Sequence, residues 1–192
     1  MLFAIILWLT FGFLSFSPPI LNYLYTKKMA KKPWNIKVNR NFLPKISIIV
    51  PTYNEEKIIR YKLKNLTKLK YPRSLMQVVF VDSNSSDSTV NRIKEFINNN
   101  RDVNVKLIIE NQRRGKSAAL NAALKECDGE VIIISDADCF WPSEILYKTL
   151  PYMADSQVGA ISGPKKLLNI KESQVIKNVN KRRSVTGILN IK

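Results

Sequence analysis

The chain is 192 residues long, 45% apolar, and carries 31 Lys and Arg against 15 Asp and Glu, a formal charge of +16. That length suits one ordinary domain plus an appendage, and that apolar content excludes disorder throughout. No histidine occurs, which excludes histidine acid–base catalysis and histidine metal sites, and two cysteines, Cys127 and Cys139, are too few for a disulfide framework. Both read as small buried thiols of a reducing compartment.

A charge this large suggests an anionic partner: nucleic acid, an anionic membrane or a phosphorylated substrate. Its distribution narrows the choice. Lys27, Lys28, Lys31, Lys32, Lys37, Arg40 and Lys45 crowd one flank, and Lys165, Lys166, Lys171, Lys177, Lys181, Arg182, Arg183 and Lys192 the other, opposed there only by Glu172. The middle is far more balanced.

In chain order, residues 2–25 are almost wholly apolar and uncharged, interrupted by Pro18 and Pro19. About 24 residues are enough to cross a hydrocarbon core of ~30 Å, and proline is tolerated in membrane helices. A cleaved signal peptide is the rival reading, but it lacks a positive region ahead of the apolar run and an A-x-A-like site. Because positive flanks stay cytoplasmic, the lysines that follow predict a single-pass cell-membrane anchor with the bulk of the chain in the cytosol. The division expected is 1–26 as transmembrane anchor, 27–45 as basic linker against anionic lipid, and 46–192 as the functional domain.

From Ile46, strand and helix patterns alternate. Ile46–Val50 reads as a strand stopped by Pro51, and Asn54-Glu55-Glu56 opens a helix with Ile59, Leu63, Leu66 and Leu69 on one face. Gln77–Val81 is a second strand, ending at Asp82. Ser86 or Asp87 can cap the next helix, whose face carries Val90, Ile93, Phe96 and Ile97. Val103–Ile109, Val131–Ser135 and Val158–Ser162 are further strands, with helices over Lys116–Lys125 and from Ser143. Beyond Lys165, Val175, Ile176, Val179 and Val185 suggest a weakly amphipathic helix. The alternation predicts an α/β domain with a mainly parallel sheet covered by helices on both faces.

In such folds ligands bind beyond the carboxyl ends of the strands. Four loops fall there: Pro51–Asn54, Asp82–Asp87, Asn111–Lys116 and Asp136-Ala137-Asp138. Tyr53 offers a flat face to a base, Asp82 an acceptor to a ring N–H, and Lys116 a point charge to phosphate. Asp136 and Asp138 end a buried strand and suit a hard divalent cation, which needs only one or two carboxylates beside a diphosphate. Each has a plainer reading as packing aromatic, strand-end solvation or surface lysine. Asp87 is taken as a helix cap only.

Four stretches together resemble the processive-type branch of family 2 inverting glycosyltransferases, which have the GT-A nucleotide-sugar fold. They are Ile48–Glu56 (IIVPTYNEE), Val81–Thr89 (VDSNSSDST), Gly115–Asn121 (GKSAALN) and Ser135–Asp138 (SDAD), in the family's order and over Ile46 to about Gly163. The resemblance implies that Tyr53 and Asp82 contact the base, usually uracil, that Pro51, Glu55 and Lys116 belong to the donor site, that Asp136 approaches ribose and metal, and that Asp138 ligates Mg2+ or Mn2+. Two departures stand out. Ser83 and Asn84 occupy positions where many members have Asp and Gly, which leaves one fewer carboxylate for the base. The family's general-base Asp and acceptor motif have no counterpart after Asp138, where the acids are Glu144, Asp155 and Glu172. The catalytic base is therefore unassigned, and the chain reads as a donor-binding half whose acceptor half is missing.

Three functions follow. The first is a membrane-anchored transferase moving a sugar from a metal-bound UDP-sugar, with inversion, to a glycan or lipid-phosphate acceptor. The second is a nucleotide-sugar-binding module that needs a partner or a C-terminal half. The third, a nucleic-acid binder, is the weakest, because no basic aromatic groove or known motif accompanies the charge, and no nucleic acid is expected among the partners.

Overall fold

The structure is a computed structural model that describes residues 1–32, 35–163 and 188–190. The chain divides into two compact units, Met1–Asn35 and Ile36–Lys192.

The first unit is helix α1 (Leu2–Met29), 28 residues with Pro18 and Pro19 inside it and none of its residues buried. At 1.5 Å per residue it spans about 42 Å, more than a hydrocarbon core needs. It is long and apolar enough to cross a membrane. It runs past the expected end at residue 26 because Lys27 and Lys28 are good helix formers and sit favourably at the negative end of the helix dipole.

The second unit is α/β. Its elements are β1 (Ile46–Thr52), α2 (Glu56–Thr67), β2 (Met76–Asp82), α3 (Thr89–Asn99), β3 (Asn104–Ile109), α4 (Lys116–Leu124), β4 (Val131–Ile134), α5 (Ile145–Thr149), β5 (Ala160–Ile161) and β6 (Ile188–Asn190). The sheet order is β3-β2-β1-β4-β6-β5. The first four strands are mutually parallel, whereas β6 is antiparallel to both β4 and β5. The predicted mainly parallel sheet is thus present, with one antiparallel strand, β6, set between β4 and the edge strand β5, that the sequence did not suggest.

The alternation of side chains along each strand feeds two cores. On one face Ile48, Val50, Val78 and Phe80 pack with Ile59 and Leu63 of α2 and Ile93 of α3. On the other, Ile49, Val79, Val81 and Ile132 meet Ala119 and Ala123 of α4. The helices therefore cover both faces, and small alanines let α4 lie close.

Three local readings change. Strand β1 continues through Pro51 to Thr52 rather than stopping there. The Thr52 carbonyl accepts the Ser83 N–H on the β2 side, so Pro51 faces the β4 side, where strand pairing has already ended at Ile49 opposite Ile134. A proline without an N–H is tolerated at such a place. The helix expected from Ser143 begins at Ile145, with Glu144 ahead of it. Part of the expected linker belongs to the α/β unit: the Lys37 N–H donates to Asp155 Oδ2 (2.8 Å), the Asn39 N–H to the Pro151 carbonyl (3.1 Å), and Tyr71 Oη to the Pro44 carbonyl (2.6 Å). The lysines and arginines from Lys165 onward, Glu172 and the amphipathic stretch 175–185 lie outside the described residues.

Gly129, just before β4, has a structural obligation. A Cβ there would stand 2.4 Å from the Ser47 nitrogen and 2.5 Å from the Ile46 carbonyl carbon. The buried Ser47 hydroxyl donates to Gln77 Oε1 and accepts the Gly129 N–H (2.9 Å), pinning this turn to the amino ends of β1 and β2. The opposite, carboxyl ends of these strands lie away from this turn.

Candidate functional site

The carboxyl ends of β1, β2 and β4 open into a cleft of about 300 Å³. Its walls include Pro51 and Thr52 at the end of β1, Tyr53 and Glu55 after it, Ser83 after β2, Arg113, Gly115 and Lys116 around the start of α4, and Asp136, Ala137 and Asp138 after β4. Six of the seven residues singled out from the sequence, Pro51, Tyr53, Glu55, Lys116, Asp136 and Asp138, meet in this cleft.

Asp82 does not line it. The residue is fully buried at the end of β2. Its carboxylate accepts from Thr52 Oγ1 (2.9 Å), the Ser85 N–H (2.8 Å) and Ser85 Oγ (2.6 Å). Ser83 reaches the cleft wall instead. Its hydroxyl donates to Glu110 Oε2 (2.9 Å), and Arg114 holds the other Glu110 oxygen at 3.1 Å. A carboxylate accepts but does not donate, so the Ser83 proton is committed to Glu110 and its oxygen keeps only lone pairs to offer. Glu110 follows β3, 27 residues from Ser83 in sequence, and no local pattern signals their contact.

The β1–α2 and β2–α3 loops hold each other. Asn54, at φ 53°, adopts a conformation asparagine tolerates; its amide N–H donates to Ser85 Oγ (2.8 Å), and its Oδ1 accepts the Ser86 N–H (2.9 Å). Ser88, not Ser86 or Asp87, is the N-cap of α3; Asp87, one residue ahead of it, accepts the Thr89 N–H (2.9 Å) and, across the loops, the Glu56 N–H (3.0 Å). Burial opposes its charge, but these bonds from Thr89 and Glu56 prevail and hold its carboxyl below the usual range. This frame fixes Tyr53 and Glu55 at the cleft.

Within the cleft, charges of both signs face one another. The Lys116 ammonium pairs with Asp136. The Arg113 guanidinium lies 3.9 Å over the Tyr53 ring, so the aromatic face is already used as a cation platform. Glu55 is pushed above its usual pKa by burial first, then by Asp138, Asp87 and Asp136. Among the described residues no group of three or more His, Cys, Asp and Glu forms a protein-only metal cage. The donor set fits a cation that arrives with phosphate: two carboxylates on one short loop, a third repelled by them, and cations beside them. A hard divalent ion needs one or two carboxylates there, with substrate oxygens and water completing its shell.

A further pair of residues underlies the loop. Lys62 and Asn65 of α2 occupy the stripe that also carries Ile59, Leu63 and Leu66, and both are buried. The Lys62 ammonium donates to Ser135 Oγ and to the Cys139 carbonyl (2.7 Å), and lies 4.8 Å from the Trp141 ring. Burial pulls its pKa down to about 7, against smaller upward pulls from Cys139, Asp136 and Asp138. Asn65 grips the Trp141 backbone at both ends, donating to its carbonyl (2.8 Å) and accepting its N–H (2.9 Å). The available signal was a lysine inside an apolar helical stripe.

The described acids downstream of Asp138 are engaged elsewhere. Glu144 pairs with Lys70 (3.0 Å) and Lys148 (3.4 Å), while Asp155 accepts the Lys37 and Gln157 N–H groups. Glu172 lies outside the described residues.

A sequence model described as Glycosyl transferase family 2 matches residues 47–178. "Probable glycosyltransferase YdaM" of Bacillus subtilis (strain 168) is 34% identical over 147 residues, covering 74% of this chain and 34% of that protein. The chain spans about a third of the length of the curated relatives it matches. Among solved structures, the mannosyltransferase PcManGT from Pyrobaculum calidifontis, in complex with GDP-Man and Mn2+, superposes with a TM-score of 0.75 at 32% identity, over 93% of this chain and 54% of that one. S. aureus TarS 1-349, in complex with UDP-GlcNAc, gives 0.62 at 26% identity, over 76% and 45%.

Proposed function

The chain belongs to glycosyltransferase family 2, and on that premise we propose that its α/β unit binds a nucleotide-sugar together with Mg2+ or Mn2+, as the donor site of a glycosyltransferase that transfers with inversion to a glycan or lipid-phosphate acceptor. The observation that carries this reading is the convergence of Tyr53, Lys116, Asp136 and Asp138 on one cleft at the carboxyl ends of parallel strands. Asp138 and Asp136 would hold the ion, which would supply positive charge to the diphosphate as it leaves. Lys116 adds a point charge, and the first N–H groups of α4, opened by Gly115 at φ 90°, suit a diphosphate at a helix N-terminus. Tyr53 offers its face to the base once Arg113 moves aside.

The Ser83–Glu110 pair bears on the base. An oxygen offering only lone pairs accepts from uracil N3–H or guanine N1–H and meets the bare ring nitrogen of cytosine or adenine with repulsion. UDP is the nucleotide favoured here, and GDP shares the same donor edge. Asp82 acts in this reading by holding Thr52 and Ser85 in place.

Calorimetry of the full chain in detergent with UDP and GDP tests the site. Binding should require Mn2+, and Asp138→Asn should weaken it by more than the about 10–100-fold typical of outer-shell partners. Equal affinity in the presence of chelator would refute the metal site. A second reading, a module that holds donor without turnover by itself, is favoured by one observation: Glu144 and Asp155 are engaged away from the cleft.

Helix α1 serves in this proposal as a single-pass anchor, with the lysines after it on the cytoplasmic side against anionic lipid and the α/β unit in the cytosol. A reporter fused after Lys192 should be active only in the cytosol. Recovery of a processed, secreted chain would refute the anchor. Nucleic acid has no part in the proposal.

A further inference from the structure

The loop Ser135–Trp141 carries the two carboxylates on which the donor reading rests. The Ser135 N–H donates to the Ile49 carbonyl (3.0 Å), and the Cys139 N–H closes a turn on the Asp136 carbonyl (3.1 Å). Asp136, paired with Lys116, and Asp138 carry like charges one residue apart, and after burial they add to the upward push on the Glu55 pKa. Left alone, two like charges one residue apart favour a splayed loop.

Helix α2 supplies the opposing hold. Lys62 ties the two shoulders of the carboxylate turn, Ser135 and Cys139, to one ammonium group. One helical turn later Asn65 fixes the exit of the loop through both backbone groups of Trp141. An apolar side chain would fill the Lys62 position of this stripe without desolvating a charge. A buried lysine is costly unless it is partnered, and here the loop supplies two acceptors and the Trp141 ring.

We infer that Lys62 and Asn65 are positioning residues that preset the separation of Asp136 and Asp138 for a divalent ion and a diphosphate. Neither lines the cleft; Lys62 acts through the Ser135 hydroxyl and the Cys139 carbonyl, and Asn65 through the backbone of Trp141. Outer-shell partners of this kind orient ligands and tune metal affinity. The inference rests on the proposed metal–nucleotide site.

The test is calorimetry of UDP and GDP binding to the full chain in detergent, each with Mn2+ and with chelator. Wild type is compared with Lys62→Met and Asn65→Ala, and near-UV circular dichroism confirms folding. In both variants the gain in affinity brought by Mn2+ should shrink, by about 10–100-fold for Lys62→Met, while affinity in chelator is unchanged. An undiminished metal-dependent gain in both variants would overturn the inference. So would an equal loss with and without metal, which is the mark of general damage to the cleft. If Lys62→Met fails to fold, Asn65→Ala decides by the same criterion. Failure of the wild type itself to bind either nucleotide with Mn2+ would instead remove the donor site, and this inference with it.

Discussion

Lys62 makes the stability of this protein depend on pH in an unusual direction. In the unfolded chain its ammonium has an ordinary pKa of 10.5; in the fold, burial lowers it to about 7. Below pH 7 both states hold the proton, and the full cost of a buried charge is present. Between pH 7 and 10.5 the unfolded chain keeps the proton while the folded chain gives it up. The unfolded state then binds more protons, so stability rises with pH, by up to about 1.4 kcal/mol per unit. From pH 7 to pH 9 the gain is about 2 kcal/mol; above 10.5 it levels off. Urea unfolding of the full chain in a mild detergent, free of added metal, measures it, with Lys62→Met as reference so that other groups cancel. The Met variant should be the flatter of the two across this range. Equal slopes in the two proteins would refute the burial argument. A wild type that weakens toward pH 9 relative to Lys62→Met would reverse it.

Two further perturbations probe separate parts of the structure. Gly129→Ala should lower the melting temperature, because its Cβ would meet backbone atoms of Ile46 and Ser47 inside 3 Å; overpacking costs typically about 1–3 kcal/mol, and backbone cannot rotate away as a side chain can. An unchanged melting temperature would mean that the turn shifts freely. Glu110→Gln should relax base selection, since a Gln amide can donate to Ser83 and release its hydroxyl proton toward the base. Competition between UDP and CDP reads this out, with CDP gaining on UDP; an unaltered ratio would show that Ser83 does not read the ring.

Much of the architecture was open to inspection in the sequence, because its signals are local. β-branched runs alternate with amphipathic stretches, and a strand or helix registers its own period within a dozen residues. The buried run Val131–Ile134 ending at Asp136-Ala137-Asp138 placed two carboxylates at a strand end, and strand ends are where this topology gathers its loops. Tyr53 and Lys116 followed by the same logic from their own loops, whereas Glu55 entered only through the family resemblance.

What remained hidden depends on partners distant in the chain. Asp82 reads as a ligand-facing acid until Thr52 and Ser85 close over it, and Ser83 gains its character only from Glu110 on the neighbouring strand. Strand β6 pairs with β4 across more than fifty residues of sequence, a contact that no local period encodes. The lysine in the apolar stripe of α2 was visible as an anomaly, but its meaning lies in Ser135 and Cys139, more than seventy residues away. Local pattern determined which elements form and which loops lie near one another; only tertiary packing decided which polar groups are already satisfied and which still face the cleft.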